Sequence, residues 1–370
     1  MIRVCQMITE LRPAGAERVV FELATRLDPA QFEVCVAALN GGAVADMLRA
    51  AGVNVFVLDV RGKWDVGKLA TLKHWLHDQR IDILHTHMFH ADLAGRLAAN
   101  RAGIRHIAHT VHVAEGRWKP WRYIYARLCM RRGPIVCVSQ GVADHHILHT
   151  GIAANRHVVI HNGIDVAAYA RDDAKGQQLR HQWEIAGDEV VAVWAGRLNR
   201  QKGLDVLLAA VPLLAARLGN RRLRLVIGGQ GPWQGMLEEF IRRQGPSAPV
   251  RVQYMGFVQD AAGLYSAGDL LVMPSRWEGF GLSAAEAMAA GLPVVATDIK
   301  GLREVVVADE TGLLIPPENP AALALAIAKL ATDPTLRDRM GQAGMQRVHE
   351  HFTVQHMVRA HEELYRGLMM

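Results

Sequence analysis

The chain is poor in cysteine, in aromatic residues and in unbroken apolar stretches. Four of its 370 residues are cysteine, and Cys5, Cys35, Cys129 and Cys137 form no Cys-x-x-Cys pair. That spacing excludes zinc-ribbon and thioredoxin-like frameworks. Three of the four fall in apolar runs, where cysteine acts as a small buried hydrophobe. A reducing, cytoplasmic setting is therefore expected. No apolar run reaches the roughly 18 residues that a membrane-crossing helix needs, so any membrane association is expected to be peripheral. The N-terminus passes directly into a strand-like run and lacks the apolar core and cleavage site of a secretion signal. Asp-x-Asp occurs nowhere, which removes the usual carboxylate pair for a divalent ion held on a diphosphate. Gly-x-Gly-x-x-Gly is missing too: Gly229-Gln-Gly231 is followed, three residues on, by Gln234. That counts against a dinucleotide-dependent dehydrogenase.

What the chain does have is glycine, alanine and a repeating rhythm. Half of its residues are hydrophobic, and its length suits two domains of about 150 to 200 residues. The formal charge of +6 and pI near 9.3 admit nucleic acid, anionic lipid or phosphate-bearing ligands without choosing among them. Strand-like runs at 2–8, 32–39, 54–60, 83–87, 106–112, 135–139 and 158–161 alternate with helix-like stretches at 17–27, 46–51, 68–79 and 92–102. A second series follows at 190–194, 223–227, 251–256, 270–273, 294–297 and 312–315. This rhythm predicts an α/β chain of two doubly wound, Rossmann-like domains in tandem, with ligands at the carboxyl ends of the strands and in the cleft between domains. The polar stretch 167–189 reads as the linker, and 353–368 as a closing helix.

The stretch 274–293 organises the rest. A buried strand enters it, a loop bearing Gly279 and Gly281 crosses it, and a helix over 282–290 ends at Gly291-Leu-Pro293. The first turn of a helix carries unpaired N–H groups and partial positive charge, so backbone amides at this helix start form an anion receiver. Glu278 in the loop and Glu286 in the helix, with seven residues between them, flank it with carboxylates able to grip hydroxyls. An acid in a first turn also simply complements the helix dipole, so the pattern acquires meaning from its company. That company is Arg197 and Lys202 at another strand exit: a planar fork and a point charge suited to a diphosphate and to charge growing on a departing one. A solvated surface pair is the plain alternative. Gly15 opens a helix after the first strand, where its backbone can approach a ligand.

Histidines crowd the first half, with His85, His87 and His90 at one strand exit and His109 and His112 at the next. His-x-His spacing invites a metal, but no Asp, Glu or Cys joins it at ligand spacing; a pocket-lining or core role fits better. The stretch 116–132 holds Arg117, Trp118, Lys119, Trp121 and Arg122 among further basic and aromatic residues, with no acid. It suits an anionic membrane surface or a phosphate-bearing acceptor, uses the same residue types as a nucleic-acid stacking surface, and would equally serve a helix that packs its aromatics and solvates its arginines.

Taken in order, Gly15-Ala-Glu17, His87, His112, Ser139-Gln-Gly-Val142, Asn162-Gly-Ile-Asp165, Gly196-Arg-Leu198, Lys202-Gly203, Gly229-Gln-Gly231, Tyr254-Met-Gly-Phe257, Pro274-Ser275, Glu278-Gly-Phe-Gly-Leu282, Glu286-Ala-Met288, Gly291-Leu-Pro293 and Gly301-Leu-Arg-Glu304 resemble the retaining glycosyltransferases of family 4, whose fold is called GT-B. The resemblance implies the following roles. Arg197 and Lys202 bind the diphosphate of a nucleotide-sugar donor, UDP-sugar before GDP-sugar. Phe280, Gly281 and Leu282 offer amides to phosphate and sugar, Glu278 meets sugar hydroxyls and Glu286 the ribose. Gly15 closes over the diphosphate, and His112 approaches the donor sugar. It further implies retention of configuration, no metal or other cofactor, and a glycan or lipid-linked acceptor used in polysaccharide, lipopolysaccharide or glycolipid synthesis at the cytoplasmic face of an anionic inner membrane. Nucleic acid is not expected as a partner. Residues 1–166 would bind acceptor, 167–352 donor, and 353–370 would cross back to the first domain. Ala14 and Lys300 stand where the family usually has glycine. A nucleotide-sugar epimerase on the same fold and a non-catalytic nucleotide-sugar or membrane-binding module are the rival readings.

Overall fold

The computed structural model describes residues 1–60, 62, 65–113, 120–130, 132–245 and 248–370. The chain divides into two compact units, Met1–Gly163 together with Val354–Met370, and Ile164–Thr353. The first unit holds β1 (Ile2–Glu10), β2 (Phe32–Asn40), β3 (Asn54–Val57), β4 (Ile83–His87), β5 (His106–Val111), β6 (Ile135–Cys137) and β7 (His157–Val159). They form a seven-stranded parallel sheet in the order β3-β2-β1-β4-β5-β6-β7. The second unit holds β8 (Val190–Ala195), β9 (Leu223–Gly228), β10 (Val250–Tyr254), β11 (Leu270–Met273), β12 (Val294–Thr297) and β13 (Gly312–Ile315). These are again all parallel, in the order β10-β9-β8-β11-β12-β13. Both orders run outward in two directions from a central strand, which is the doubly wound pattern; its switch point lies between β1 and β4 in one sheet and between β8 and β11 in the other.

Composition explains the strands. A parallel sheet covered on both faces has no polar side, so its strands read as continuous apolar runs rather than alternating ones. Val-Val-Ala-Val-Trp-Ala in β8 and Leu-Leu-Val-Met in β11 are such runs, and Val191, Ala192, Val193, Leu270, Leu271 and Val272 are fully buried. Helix starts are marked by caps. Ser139, Asp172, Asp260, Asn319 and Asp333 each accept a backbone N–H of the first turn, and the last two are followed by proline at the first helical position. The closing helix Val354–Met369 packs Val354, Met357, Val358 and Tyr365 into one core with Val4, Val19, Leu23 and Ile83 of the first unit.

Two expectations change. The stretch 167–189 is no linker: the boundary falls between Gly163 and Ile164, and the stretch folds as a 3-10 turn Ala167–Tyr169 and a helix Asp173–Gln182 within the second unit. Its polar residues are consumed locally. Asp172 caps the helix, Lys175 pairs with Asp260, and Arg180 meets Asp269 at 2.7 Å. Gly176 is needed because a Cβ there would lie 2.3 Å from the carbonyl of Ser266. The strands expected at 54–60, 135–139, 158–161 and 251–256 also end earlier, at Val57, Cys137, Val159 and Tyr254.

Candidate active site

The second unit brings two strand exits together at its switch point. The loop after β8 carries Arg197 and Lys202, and the loop after β11 carries Glu278 and runs into the helix Leu282–Ala289. Both loops turn through glycine. Gly203 has φ +66, and a Cβ on it would lie 1.9 Å from the carbonyl of Pro274, so the loops approach more closely than any other residue allows. Gly281 has φ +97 and caps the helix, where its carbonyl accepts from the amide of Ala284 at 2.9 Å.

The side chains then meet. Lys202 Nζ donates to Glu278 Oε1 at 2.6 Å, and Ser275 Oγ donates to the same oxygen at 2.7 Å. Glu278 is buried, and among the described residues its Oε2 accepts nothing. Lys202 is steadied from behind, its amide donating to Asn199 Oδ1 at 3.2 Å. Arg197 is exposed, and its guanidinium makes no ion pair among the described residues. Phe280 is buried and meets Phe352 edge-on at 5.2 Å, so its side chain is core. Gly281 is buried and Leu282 half-buried. Glu286 lies inside the helix, buried, with Tyr169 donating to Oε1 at 3.2 Å and Tyr265 to Oε2 at 3.1 Å.

A brace ties the loops together. The Arg276 amide donates to the carbonyl of Gln201 at 2.8 Å. Its guanidinium grips Asp205 in two bonds of 2.8 and 2.7 Å, reaches the Arg200 carbonyl at 2.8 Å and meets Glu318 at 2.7 Å. Gln201 returns a bond to the carbonyl of Trp277. Sequence reasoning missed Arg276, Tyr169 and Tyr265, because each acts through a residue distant in the chain. Only Ser275, three residues before Glu278, lay close enough to read.

In the first unit, Gly15 is exposed at the start of the helix Gly15–Arg26. Ala14 before it has φ −158, extended backbone that any residue adopts, so alanine costs nothing there. His112 follows β5 and is buried; burial, and then the neighbouring His109 and His361, bring its imidazole down to about 3, so it is neutral at ordinary pH. His87 Nε2 lies 2.8 Å from Gln6 Oε1, an acceptor, and therefore carries the proton. His87 Nδ1, 3.0 Å from His112 Nε2, must accept, which makes His112 the Nε2–H tautomer. Gln6 Nε2 donates to Tyr365 at 2.8 Å, and Tyr365 lies 2.6 Å from His85 Nδ1, whose other nitrogen reaches Thr110 at 2.7 Å. His85 and His87 thus belong to a buried hydrogen-bond chain. His90 is exposed. Among the described residues no cluster of three or more His, Cys, Asp or Glu could hold a metal.

Arg117, Trp118 and Lys119 lie outside the described residues. Trp121 and Arg122 sit on the helix Pro120–Cys129: the Trp121 ring meets Phe89 at 5.1 Å, and Arg122 lies over the Phe89 ring at 5.1 Å. Trp121, Ile124 and Leu128, spaced three and four apart on that helix, are 48%, 59% and 58% exposed, an uncovered apolar face.

Two doubly wound sheets in tandem, with an Arg–Lys pair and two carboxylates at the switch point of the second, are the build of a GT-B glycosyltransferase. Comparison with known proteins agrees. The family model Glycosyltransferase Family 4 matches residues 13–168, and Glycosyl transferases group 1 matches residues 176–347. A D-inositol 3-phosphate glycosyltransferase of Jonesia denitrificans is 32% identical over 295 residues, covering 74% of this chain and 69% of that protein. One from Streptomyces avermitilis is 30% identical over 280 residues, 71% of this chain and 60% of that protein. Anabaena HepE, solved with UDP-glucose, superposes with a TM-score of 0.87 at 23% identity over 99% of this chain and 100% of that one. The chain belongs to glycosyltransferase family 4 and is a glycosyltransferase.

Proposed function

We propose that the protein transfers a sugar, with retention of configuration and without a metal, from a nucleotide-diphosphate donor to a glycan or lipid-linked acceptor, with UDP-sugar the first choice of donor and GDP-sugar the second. The observation that carries this reading is the Lys202–Glu278 pair, held at 2.6 Å beside the glycine-capped start of the helix Leu282–Ala289. The donor diphosphate is taken by Arg197, Lys202 and the amides of Phe280, Gly281 and Leu282. Lys202 then shares itself between phosphate and Glu278, whose Oε2 accepts from sugar hydroxyls. The bond from the sugar's anomeric carbon to the phosphate oxygen breaks, and the acceptor oxygen bonds to that carbon on the same face. The acceptor's proton passes to the leaving phosphate, whose charge the two cations offset. Glu286 grips the ribose. The relatives' names and the UDP-glucose bound to HepE support a nucleotide-sugar donor.

A role in cell-surface polysaccharide, lipopolysaccharide or glycolipid synthesis rests on the helix Pro120–Cys129. Its exposed Trp121, Ile124 and Leu128 beside Arg122 and Arg127 suit the surface of an anionic membrane. No helix among the described residues is long and apolar enough to cross one. The test is release of UDP or GDP from a panel of nucleotide-sugars, in EDTA, with and without an extract of membrane lipids and glycans. Acceptor-dependent release that Glu278→Gln abolishes supports the reading; altered free sugar-nucleotide formed without acceptor would identify an epimerase instead.

A further inference from the structure

Glu286 is the one carboxylate of the site held at both oxygens by phenols. Tyr169 comes from the 3-10 turn Ala167–Tyr169, Tyr265 from the helix Ala261–Ala267 and Glu286 from the helix Leu282–Ala289, so three separate elements meet on one group. All three residues are buried, and the two rings stand 6.1 Å apart. Burial, and then Glu286 itself, hold the Tyr265 phenol well above its usual range, which keeps its hydroxyl a donor at any working pH. A free glutamate rotates about three side-chain bonds. A donor on each oxygen fixes the carboxylate's plane instead.

We infer that Tyr169 and Tyr265 are positioning residues that aim the Glu286 carboxylate at a vicinal diol, so that the site selects ribonucleoside diphosphates over their 2′-deoxy counterparts. The inference rests on the reading that Glu286 grips the donor's ribose. Two hydroxyls on neighbouring carbons present two donors in a fixed fork, and only a carboxylate whose plane is already set can accept both at once. A carboxylate free to turn would settle on one hydroxyl and lose most of the preference.

The test is calorimetric binding of UDP and 2′-deoxy-UDP, with the GDP pair in parallel, to wild type, Tyr169→Phe, Tyr265→Phe and Glu286→Ala. Phenylalanine keeps the ring and its packing, and thermal melting of each variant checks the fold. Wild type should favour the ribonucleotide by roughly tenfold or more, the worth of one hydrogen bond to a charged group. Each Tyr→Phe variant should bring that ratio to about threefold or less, chiefly by weakening the ribonucleotide. Variants that keep the wild-type ratio, or that weaken both ligands by the same factor, overturn the inference and leave the tyrosines structural. If Glu286→Ala binds both ligands as wild type does, the assignment of ribose to Glu286 has failed, and the inference with it.

Discussion

Removing the Arg276 guanidinium should cost the second unit stability and the enzyme turnover, and both can be sized from the structure. Its side chain is 12% exposed and carries the paired bonds to Asp205 together with those to Glu318 and the Arg200 carbonyl. A hydrogen bond to a charged group is worth about 1.5–3 kcal/mol. Asp205 is 40% and Glu318 59% exposed, so water screens both pairs, and a net loss of about 2 kcal/mol for Arg276→Ala is the reasonable expectation. For a domain of this size that lowers the melting temperature of the second unit by about 4–8 °C. The functional cost comes from slack between the two loops. Displacing a catalytic group by about 1 Å can cost on the order of 100-fold, so a partial loosening of Lys202 against Glu278 should lower kcat about 10- to 100-fold. Arg276→Lys keeps the charge but cannot serve two carboxylates and a carbonyl with one ammonium, and should recover less than half of the loss. Melting curves and steady-state kinetics on the three proteins decide it. Wild-type melting together with wild-type kcat in Arg276→Ala would refute the brace.

Other consequences follow from the same contacts. Glu278→Gln, Arg197→Ala and Lys202→Ala should each lower turnover by about 100-fold or more while the circular dichroism of the fold is kept. Acid should destabilise the first unit. His112 sits at about 3 and His361 at about 4, with His85 and His87 well below their usual range, all because of burial. The unfolded chain therefore binds more protons than the folded one between about 6.5 and 3: stability is full above 6.5 and is lost as pH falls through that window, by about 2 kcal/mol at pH 5 for each such histidine. Glu17, raised by burial to about 7, pulls the other way, its contribution being lost as pH rises from about 4.5 to 7, so denaturant melts from pH 8 to 4 should show the histidines outweighing it. Tyr365→Phe removes the hydroxyl between Gln6 and His85 and should cost about 1–2 kcal/mol in urea unfolding while nucleotide binding is kept. Trp121→Ser with Ile124→Ser should weaken co-sedimentation with anionic vesicles at least tenfold and leave nucleotide affinity unchanged.

Much of this was legible in the chain, because strands buried on both faces must be apolar throughout and glycine must stand where backbones touch. The run at 270–273, the glycine loop and the helix after it appear in the structure within a residue of the reading, and Arg197, Lys202, Glu278 and Glu286 lie on elements of one unit. What composition hid was packing. The stretch 167–189 looked like a linker because Asp172, Asp173 and Lys175 are polar, yet polar residues that cap a helix and pair with Asp260 build a packed element as well as apolar ones do. His85 and His87 read better as core or pocket-lining residues than as a metal pair, but spacing could not name their partners, because Gln6 and Tyr365 come from opposite ends of the chain. Tyr169 and Tyr265 carry no motif at all; only the fold brings them to Glu286.

The proposed nucleotide site of the second unit needs no metal, and calorimetric titration of UDP, GDP and ADP, in EDTA, into wild type and Lys202→Ala tests that proposal. One nucleotide should bind wild type without metal and bind the variant at least tenfold more weakly, which would also settle the donor base. Binding that appears only when a divalent cation is restored, or that Lys202→Ala leaves untouched, would contradict it.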